Sequence, residues 1–346
     1  MNDKLDRHLH ILYIGPKSGT CLDRANALRR LGHTLTHLDL RALLPRTIWI
    51  DRIMWRLGGH WLSELVISRL REILTGKRFE LAYVDNGEYV SARVVKLLKK
   101  HAALVINYNI DDPTGPRDGH RFAAYRQAVP DYDLLAVVRE ENVRELHALG
   151  AKKVIRVWRS ADEVTHAPRP LTAQDHAQWD CDVLFLGTWM PERGPFLLDL
   201  IQRGVPLTIQ GGGWQKAPEW VTLRKYWRGG PISGDDYAKA IQCAKINLGL
   251  LSKGNRDLHT TRSLEIPALG GVLCAERTAE HLLMYEEGVE AIFWSDAAEC
   301  AASCAELLAD EPQRRSVAER GFARYRANKH GNEDVLSHFI ARATEQ

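Results

Sequence analysis

The sequence contains no run of about 18 apolar residues, the length that a helical membrane span requires. The first residues, MNDKLDRHLHILYIG, lack the basic start and long apolar stretch of a secretory signal. The formal charge is only +3, from 47 basic and 44 acidic residues. This near-balance argues against nucleic acid as a partner but suits an anionic small ligand. We therefore expect a cytoplasmic protein.

Paired cysteines and metal-binding motifs are also missing. The six cysteines form no CxxC pair and the 14 histidines show no HExxH spacing, so we expect buried free thiols and no metal held by cysteine or histidine. No Gly-x-Ser-x-Gly motif occurs, which leaves a serine hydrolase unsupported. The cysteines are Cys21, Cys181, Cys243, Cys274, Cys300 and Cys304.

What the sequence does contain is a repeated alternation of apolar, strand-like segments with helical segments. The first series runs from LHILYIG at 9–15 to KVIRVW at 153–158, and a second series begins with DVLFLG at 182–187. The segment 160–180 is polar, holds two prolines and is predicted to be a linker. In a chain of 346 residues, this pattern predicts an α/β fold with two Rossmann-like, doubly wound domains.

Polar residues at the carboxyl ends of the predicted strands are candidate site residues, because ligands of parallel sheets bind there. The turn GPKSGT matches no dinucleotide or phosphate-loop motif, but Gly15 would still let a ligand approach the backbone. Asp111 and Asp112 follow the strand ALVINYN, and Glu88 lies in DNGE after FELAYVD. A metal site, acceptor binding, a general base and a helix cap are the alternatives for these carboxylates.

The segment KGNRDLHTTRSLEIPALGG at 253–271 holds the densest set of candidates. Thr260 and Thr261 are predicted to cap a helix whose free N–H groups, together with Arg262, bind a phosphate. Glu265 follows Arg262 by one turn and is predicted to accept hydrogen bonds from ribose hydroxyls. The alternative is an exposed Arg262–Glu265 surface pair. Further candidates from the preceding loop are Asp257 and His259.

Two more loops supply candidate ligands for a nucleotide. In FLGTWMPER, Gly187 and Thr188 lie at a strand end, and Arg193 is predicted to contact a phosphate. The glycines of IQGGGW allow the backbone to approach a ligand, with Trp214 as a predicted stacking surface.

The sequence resembles the donor domain of GT-B glycosyltransferases, in particular CgeB-like proteins and glycosyl transferases group 1. The resemblance lies in FLGTW, INLGLL and DLHTTRSLEIPALGGVLCAERTAEHLLMYEEGVEAIFW. It implies two domains facing across a cleft: an acceptor domain over 1–162, onto which a helix at about 326–346 packs back, and a donor domain over 180–325. It also implies metal-independent catalysis without a cofactor, with Asp257 near the donor sugar and Glu265 on the ribose.

The predicted function is transfer of a hexose from a nucleotide-sugar, a UDP-sugar in the first place, to an acceptor hydroxyl. The acceptor is expected to be a glycan, a lipid-linked precursor or a protein, with peripheral membrane association and no nucleic acid. An inverting enzyme would need a base such as Asp111, Asp112 or Glu88, whereas a retaining one would not. The alternatives are a nucleotide-sugar epimerase of the same fold, a non-catalytic nucleotide-binding or scaffold protein, and a dinucleotide oxidoreductase.

Overall fold

A computed structural model of the protein describes residues 8–118 and 120–345. The chain divides into two compact units, and each unit contains one six-stranded sheet. Of the described residues, unit 1 contains those up to Arg159, the segment Gly254–Arg256 and those from Asn332 onward. Unit 2 contains Ser160–Lys253 and Asp257–Gly331.

The sheet of unit 1 is parallel throughout. Its strands are β1 His10–Ile14, β2 Thr34–Leu38, β3 Phe79–Asp85, β4 Ala102–Asn109, β5 Leu134–Val137 and β6 Val154–Arg156. They pair in the order β2-β1-β3-β4-β5-β6. In this flavodoxin-like order the connections change direction between β1 and β3, and ligands bind beside that switch point.

Helices cover both faces of this sheet, which explains why its central strands are continuous apolar runs. The helices are α1 Gly19–Arg30, α2 Ile48–Leu57, α3 Ser63–Leu74, α4 Ala92–Leu98, α5 Ala123–Ala128, α6 Glu140–Ala148 and, from the end of the chain, α15 Asn332–Thr344. In α15, Phe339 is fully buried and packs edge-on against Tyr83 of β3. An ion pair of 2.5 Å joins Glu333 to Arg30 of α1.

The sheet of unit 2 is also parallel. Its strands are β7 Cys181–Leu186, β8 Leu207–Gln210, β9 Trp227–Gly229, β10 Ala244–Gly249, β11 Leu273–Glu276 and β12 Ile292–Trp294. They pair in the order β12-β11-β10-β7-β8-β9, which is the order of dinucleotide-binding domains with its switch point between β7 and β10. The prediction of two Rossmann-like, doubly wound domains is confirmed.

The helices of unit 2 include one whose sequence has the composition of a strand. The helices are α7 Ala173–Trp179, α8 Arg193–Gln202, α9 Trp220–Leu223, α10 Gly234–Cys243, α11 Arg262–Ala268, α12 Ala279–Met284, α13 Ala297–Ala309 and α14 Glu311–Asn328. In the stretch WVTLRKYW, α9 occupies the first half and only the end enters β9. Three large aromatic residues in this stretch mimic the composition of a strand.

The segment 160–180, predicted to be a linker, belongs to unit 2 and contains α7. Thr172 and Asp175 form a capping box: the Thr172 hydroxyl accepts from the Asp175 N–H over 3.2 Å, and the Asp175 carboxylate accepts from the Thr172 N–H over 2.9 Å. Lys239 of α10 also pairs with Asp175 over 2.9 Å. The helix is therefore fixed by its cap and one ion pair, which a search for apolar periodicity does not detect.

The returning C-terminal segment is shorter than the resemblance implied. Asn328 ends α14 in unit 2, and Lys329 follows with a φ of +52°. Only the segment from Asn332 onward belongs to unit 1, whereas the expectation began at about 326. The left-handed backbone at Lys329 interrupts what the sequence presents as one long helix.

Two expectations from composition are met. No helix in the described part of the chain has the length and apolar character needed to cross a membrane. All six cysteines are free, and all except the partly exposed Cys181 are buried.

Candidate functional site

The switch point of unit 2 lies where β7 and β10 pair side by side. Arg193 joins the loops that follow these strands. Its guanidinium donates to the Thr188 carbonyl over 2.8 Å and to the carbonyls of Leu250 and Leu251 over 3.1 and 3.3 Å. Arg193 is 9% exposed, so these bonds fix the shape of the two loops. Its contact with a phosphate stays a prediction, as does the place of Thr188 in a nucleotide site.

Gly187 follows β7 and packs against the loop after β8. Its N–H donates to the Gln210 carbonyl over 2.9 Å, and its carbonyl accepts from the Trp214 indole over 3.0 Å. Gly211 approaches so closely that a Cβ there would lie 2.1 Å from the Gly187 oxygen. Trp214 is fully buried against Phe185. The prediction of a stacking surface at Trp214 is therefore wrong, because this indole is a core side chain that fixes the Gly187 loop.

Arg262 and Glu265 form an ion pair in the first turn of α11, with 2.6 Å between Nη1 and Oε2. Arg262 Nε also donates to the carbonyl of Leu186, the last residue of β7, over 3.2 Å. The guanidinium lies over the ring of Tyr237, 4.9 Å from its centroid. The Glu265 side chain is 3% exposed and that of Arg262 is 30% exposed. The reading as an exposed surface pair is wrong, because Glu265 is buried and Arg262 is only partly exposed.

The Glu265 carboxylate is charged although it is buried. Burial raises its pKa, but Arg262, His166 and Tyr237 outweigh that effect, and the net pKa lies below the usual value. The Tyr237 hydroxyl donates to Oε2 over 2.5 Å, and His166 Nε2 lies 3.4 Å from Oε1. Both carboxylate oxygens thus already face protein groups, and the contact of Glu265 with a ribose stays a prediction.

The prediction that Thr260 and Thr261 cap α11 is wrong. Thr261 precedes the helix but already has helical dihedral angles, φ −58° and ψ −32°, and makes no capping bond. An N-cap residue needs an extended backbone to direct its oxygen at the free N–H groups. Instead the Thr261 hydroxyl accepts from Arg262 over 3.3 Å, and the Ser263 hydroxyl accepts the Thr260 N–H over 3.1 Å.

Asp257 and His259 are buried in the loop before α11, with exposures of 9% and 2%. The Asp257 N–H donates to the Ser252 carbonyl over 3.4 Å, which connects this loop to the end of β10. His259 Nδ1 lies 2.5 Å from a carboxylate oxygen of Glu280. The proposed contacts of both residues with a donor sugar or phosphate stay predictions.

Unit 1 has a small cavity, partly open to solvent, at its own switch point. Gly15 after β1, the segment Asp85–Val90 after β3, and Arg41 line it. A Cβ at Gly15 would lie 3.0 Å from that of Asp85, so the turn favours glycine. Asp85 itself is fully buried and accepts from Arg24 over 2.8 and 3.0 Å. Asp85 therefore supports the strand end, and Gly15 and Glu88 are the predicted site residues that line the cavity.

Glu88 and Asp111 share Arg121 as an ion-pair partner. Arg121 lies 3.3 Å from Asp111 Oδ2, and the Asn86 amide donates to the same oxygen over 3.2 Å. Burial raises the pKa of the Glu88 carboxyl above its usual value, against the opposing effect of Arg121. A carboxyl group with a raised pKa beside a cavity is a candidate general base.

Asp112 has a different environment from Asp111. Its side chain is 1% exposed, and both oxygens accept from Arg256, over 2.6 and 2.7 Å. Asn142 donates to it over 2.7 Å, and Arg256 also pairs with Glu145 over 2.7 Å. A carboxylate in such a network cannot take a proton from a substrate without losing its partners, so the structure favours a structural role for Asp112.

Sequence reasoning missed the three arginines that organise these sites. They are Arg24, Arg121 and Arg256. Arg256 is 144 positions from Asp112, and no local spacing connects an arginine to so distant a carboxylate. The sequence predicts only that a carboxylate buried at a strand end needs a cationic partner; it does not show which arginine that partner is.

A comparison with protein families finds a match in the C-terminal half of the chain. Residues 193–341 match the protein family described as Glycosyl transferase-like. This segment is glycosyltransferase-like. No curated protein sequence matches the chain.

Solved structures of similar fold cover both units of the chain. Sucrose-phosphate synthase (tll1590) from Thermosynechococcus elongatus has a TM-score of 0.70 and 13% identity, covering 97% of this chain and 98% of that chain. Anabaena Alr3699/HepE, in complex with UDP-glucose, has a TM-score of 0.64 and 11% identity, covering 97% and 99%. AviGT4, a glycosyltransferase involved in avilamycin A biosynthesis, has a TM-score of 0.56 and 11% identity, covering 97% of each.

These findings confirm the predicted GT-B fold and the glycosyltransferase type of this protein. The matched segment begins at Arg193 and includes the whole of α11, so the glycosyltransferase-like family covers the Arg262–Glu265 pair. The CgeB-like subgroup stays a prediction.

Proposed function

We propose that this glycosyltransferase takes a UDP-sugar as donor and binds the diphosphate at the switch point of unit 2, between the ends of β7 and β10 and the start of α11. The observation that carries the proposal is the Arg262 guanidinium. It lies at the end of β7, partly exposed, while its counter-ion Glu265 is buried. A planar guanidinium held in one orientation can donate hydrogen bonds to two phosphate oxygens at the same time.

The chemical need of the reaction fits this arrangement. When the bond from the sugar to the diphosphate breaks, negative charge grows on the leaving group, and fixed positive groups stabilise it. Arg262 is fixed by Glu265, by the Leu186 carbonyl and by the Tyr237 ring, so little reorganisation is needed during the reaction. The HepE structure holds UDP-glucose, which supports UDP as the nucleotide of first choice.

We assign the acceptor to the cavity of unit 1. Glu88 lines that cavity and has a raised pKa, so it is our first candidate for the base that an inverting reaction would require. Asp111 is the second candidate, because it shares Arg121 with Glu88. No metal ion enters the proposed mechanism, since the arginine supplies the positive charge, and the transferred sugar is taken to be a hexose.

Thermal unfolding in the presence of UDP, GDP, ADP, dTDP, CMP and NAD tests the donor site. A nucleotide at about 100 times its dissociation constant adds roughly 2.7 kcal/mol to the stability of the folded state. We expect the largest shift with UDP, reduced in Arg262→Lys, which keeps the charge beside Glu265 but loses the planar fork. Arg324→Ala, which removes an exposed arginine of α14 paired with Glu290, is the matched control.

The outcomes separate the alternatives. No shift with any nucleotide would contradict the donor site, and a shift with NAD alone would favour a dinucleotide enzyme. If UDP binds and a UDP-sugar is converted without any acceptor into an isomer, the protein is an epimerase. If UDP binds but no sugar is ever released or moved, it is a non-catalytic binding protein.

A further inference from the structure

Unit 1 exposes five large apolar side chains within one short segment. Their exposed fractions are 61% for Ile48, 64% for Trp49, 59% for Trp55, 52% for Leu57 and 68% for Trp61. Every strongly exposed tryptophan in the described part of the chain lies in this segment. We call these five side chains the Trp49 surface. Single exposed apolar residues are normal, but a cluster with three tryptophans indicates a binding surface.

The surface is built on a helix that is itself firmly attached. Ile50 and Met54 of α2 face the core of unit 1, and Met54 is 2% exposed. Arg41 pairs with Asp51 of α2 over 2.8 Å. After the helix, Gly59 packs so closely that a Cβ would lie 2.1 Å from the Glu88 carbonyl. One face of α2 therefore packs against the core of unit 1. The Trp49 surface lies on the solvent side.

Basic side chains are interspersed with the tryptophans. Arg46, Arg52 and Arg56 are exposed, and the guanidinium of Arg52 lies 5.2 Å from the Trp49 ring centroid. The acidic residue of the helix, Asp51, is neutralised by Arg41. The exposed face of α2 is therefore apolar and net positive. Tryptophan and arginine together are suited to the headgroup region of a bilayer, because each carries an apolar body and a polar end.

We propose that the Trp49 surface docks on an anionic membrane, with its tryptophans in the headgroup region and its arginines on lipid phosphates. A second copy of the chain fits less well, because a two-fold interface would bring two copies of the same positively charged surface together. Anionic lipid supplies the opposite charge.

The same segment adjoins the proposed acceptor cavity. Arg121, which pairs with Glu88 at the cavity, also lies over Trp55, 5.0 Å from a ring centroid. Gly59 packs on the Glu88 carbonyl. If the proposed function holds, on which this step rests, the acceptor is a membrane-carried molecule whose hydroxyl reaches the cavity at Glu88 from the lipid surface.

Co-sedimentation with vesicles tests the docking without any donor or acceptor. The full chain is mixed with vesicles of phosphatidylcholine containing phosphatidylglycerol, and separately with phosphatidylcholine alone. We expect binding to the anionic vesicles, weakened by salt and weakened about fivefold for each arginine removed in Arg52→Gln/Arg56→Gln. Trp49→Ser/Trp61→Ser should weaken it about tenfold or more, since it removes two of the three exposed tryptophans of the Trp49 surface. The matched control is Leu282→Ser/Leu283→Ser, at exposed apolar positions of unit 2.

Three results would overturn the proposal: no sedimentation of the wild type with anionic vesicles, equal losses in the control, or sedimentation that the tryptophan variant retains. Sedimentation velocity that shows a dimer lost in Trp49→Ser/Trp61→Ser would identify a second copy as the occupant instead. The UDP-dependent thermal shift, measured on the same samples, keeps the two proposals separate. A normal shift without vesicle binding rejects membrane docking and leaves the glycosyltransferase site standing.

Discussion

The Arg262 guanidinium lies 2.6 Å from the buried carboxylate of Glu265, one helical turn along α11. Burial of the carboxylate determines how the pair works. Glu265 is buried and fixes the orientation of Arg262, whose side chain stays 30% exposed. The ion pair therefore holds one positive group at the end of β7.

The first prediction separates the two roles considered for Glu265. Glu265→Gln should weaken UDP binding about tenfold, because a neutral amide holds Arg262 less firmly than a carboxylate does. Calorimetric titration with UDP and with inorganic pyrophosphate distinguishes the causes. If Glu265 positions Arg262, both ligands lose affinity by the same factor. If it holds the ribose, UDP alone loses affinity.

The second prediction concerns acid. The pKa of Glu265 is lower in the folded protein than in the unfolded chain, since Arg262, His166 and Tyr237 outweigh its burial. Its stabilising contribution is therefore complete above the unfolded value of about 4.3 and is lost as the pH falls through the folded value. The difference in free energy of unfolding between wild type and Glu265→Gln should shrink as the pH falls from 7 to below 4. Urea titrations at several pH values measure this difference, and a pH-independent difference would contradict the assignment.

The third prediction compares two arginines that are equally exposed. Arg256 and Arg277 are each 29% exposed, and each pairs with two carboxylates. Arg256→Ala leaves Asp112, which is 1% exposed, as a buried charge without its arginine, and should lower the free energy of unfolding by about 3 kcal/mol.

Arg277→Ala is the matched control for that experiment. Its partners Glu287 and Glu299 are 36% and 40% exposed, so the loss should stay below about 1 kcal/mol. Equal losses in the two variants, measured by urea unfolding, would show that the burial of Asp112 does not determine the cost.

The fourth prediction concerns the loop after β8. Gly211 has a φ of +144°, and a Cβ there would lie 2.1 Å from the Gly187 oxygen. Gly211→Ala should displace the loop from Gly187 and weaken nucleotide binding at least about tenfold, because loop position controls ligand contacts.

Gly204→Ala is the control: its φ is +84°, but nothing lies within 4 Å of the added atom. It should cost about 1 kcal/mol of stability and leave nucleotide binding unchanged. Equal binding by the two variants would exclude a role for this loop.

Much of the fold could be predicted because buried parallel strands leave a strong sequence signal. LHILYIG and DVLFLG each mark the first strand of a unit, as β1 and β7. Local features without apolar periodicity were missed. The helix α7 depends on the Thr172–Asp175 capping box, and α2 carries apolar side chains on its solvent face as well as on its core face. Patterns of hydrophobicity cannot separate those two faces.

The sequence places the candidate site residues at strand ends, but it does not show which of them are paired with other side chains. Strand ends supplied Gly15, Glu88 and Gly187 because parallel sheets direct ligands there. Which polar residue is free and which is paired depends on contacts between distant segments. The adjacent residues Asp111 and Asp112 look equivalent in the sequence, yet Arg256 takes only Asp112. Trp214 beside three glycines looked like a loop residue, yet its ring fills the core of unit 2.

The most direct test of the donor site is a crystal structure of the protein with UDP. The account predicts the diphosphate within about 3 Å of the Arg262 guanidinium, beside the ends of β7 and β10, with Glu265 still paired to that arginine. A diphosphate bound elsewhere, for example in the cavity beside Gly15, with Arg262 making no contact to it, would contradict the account.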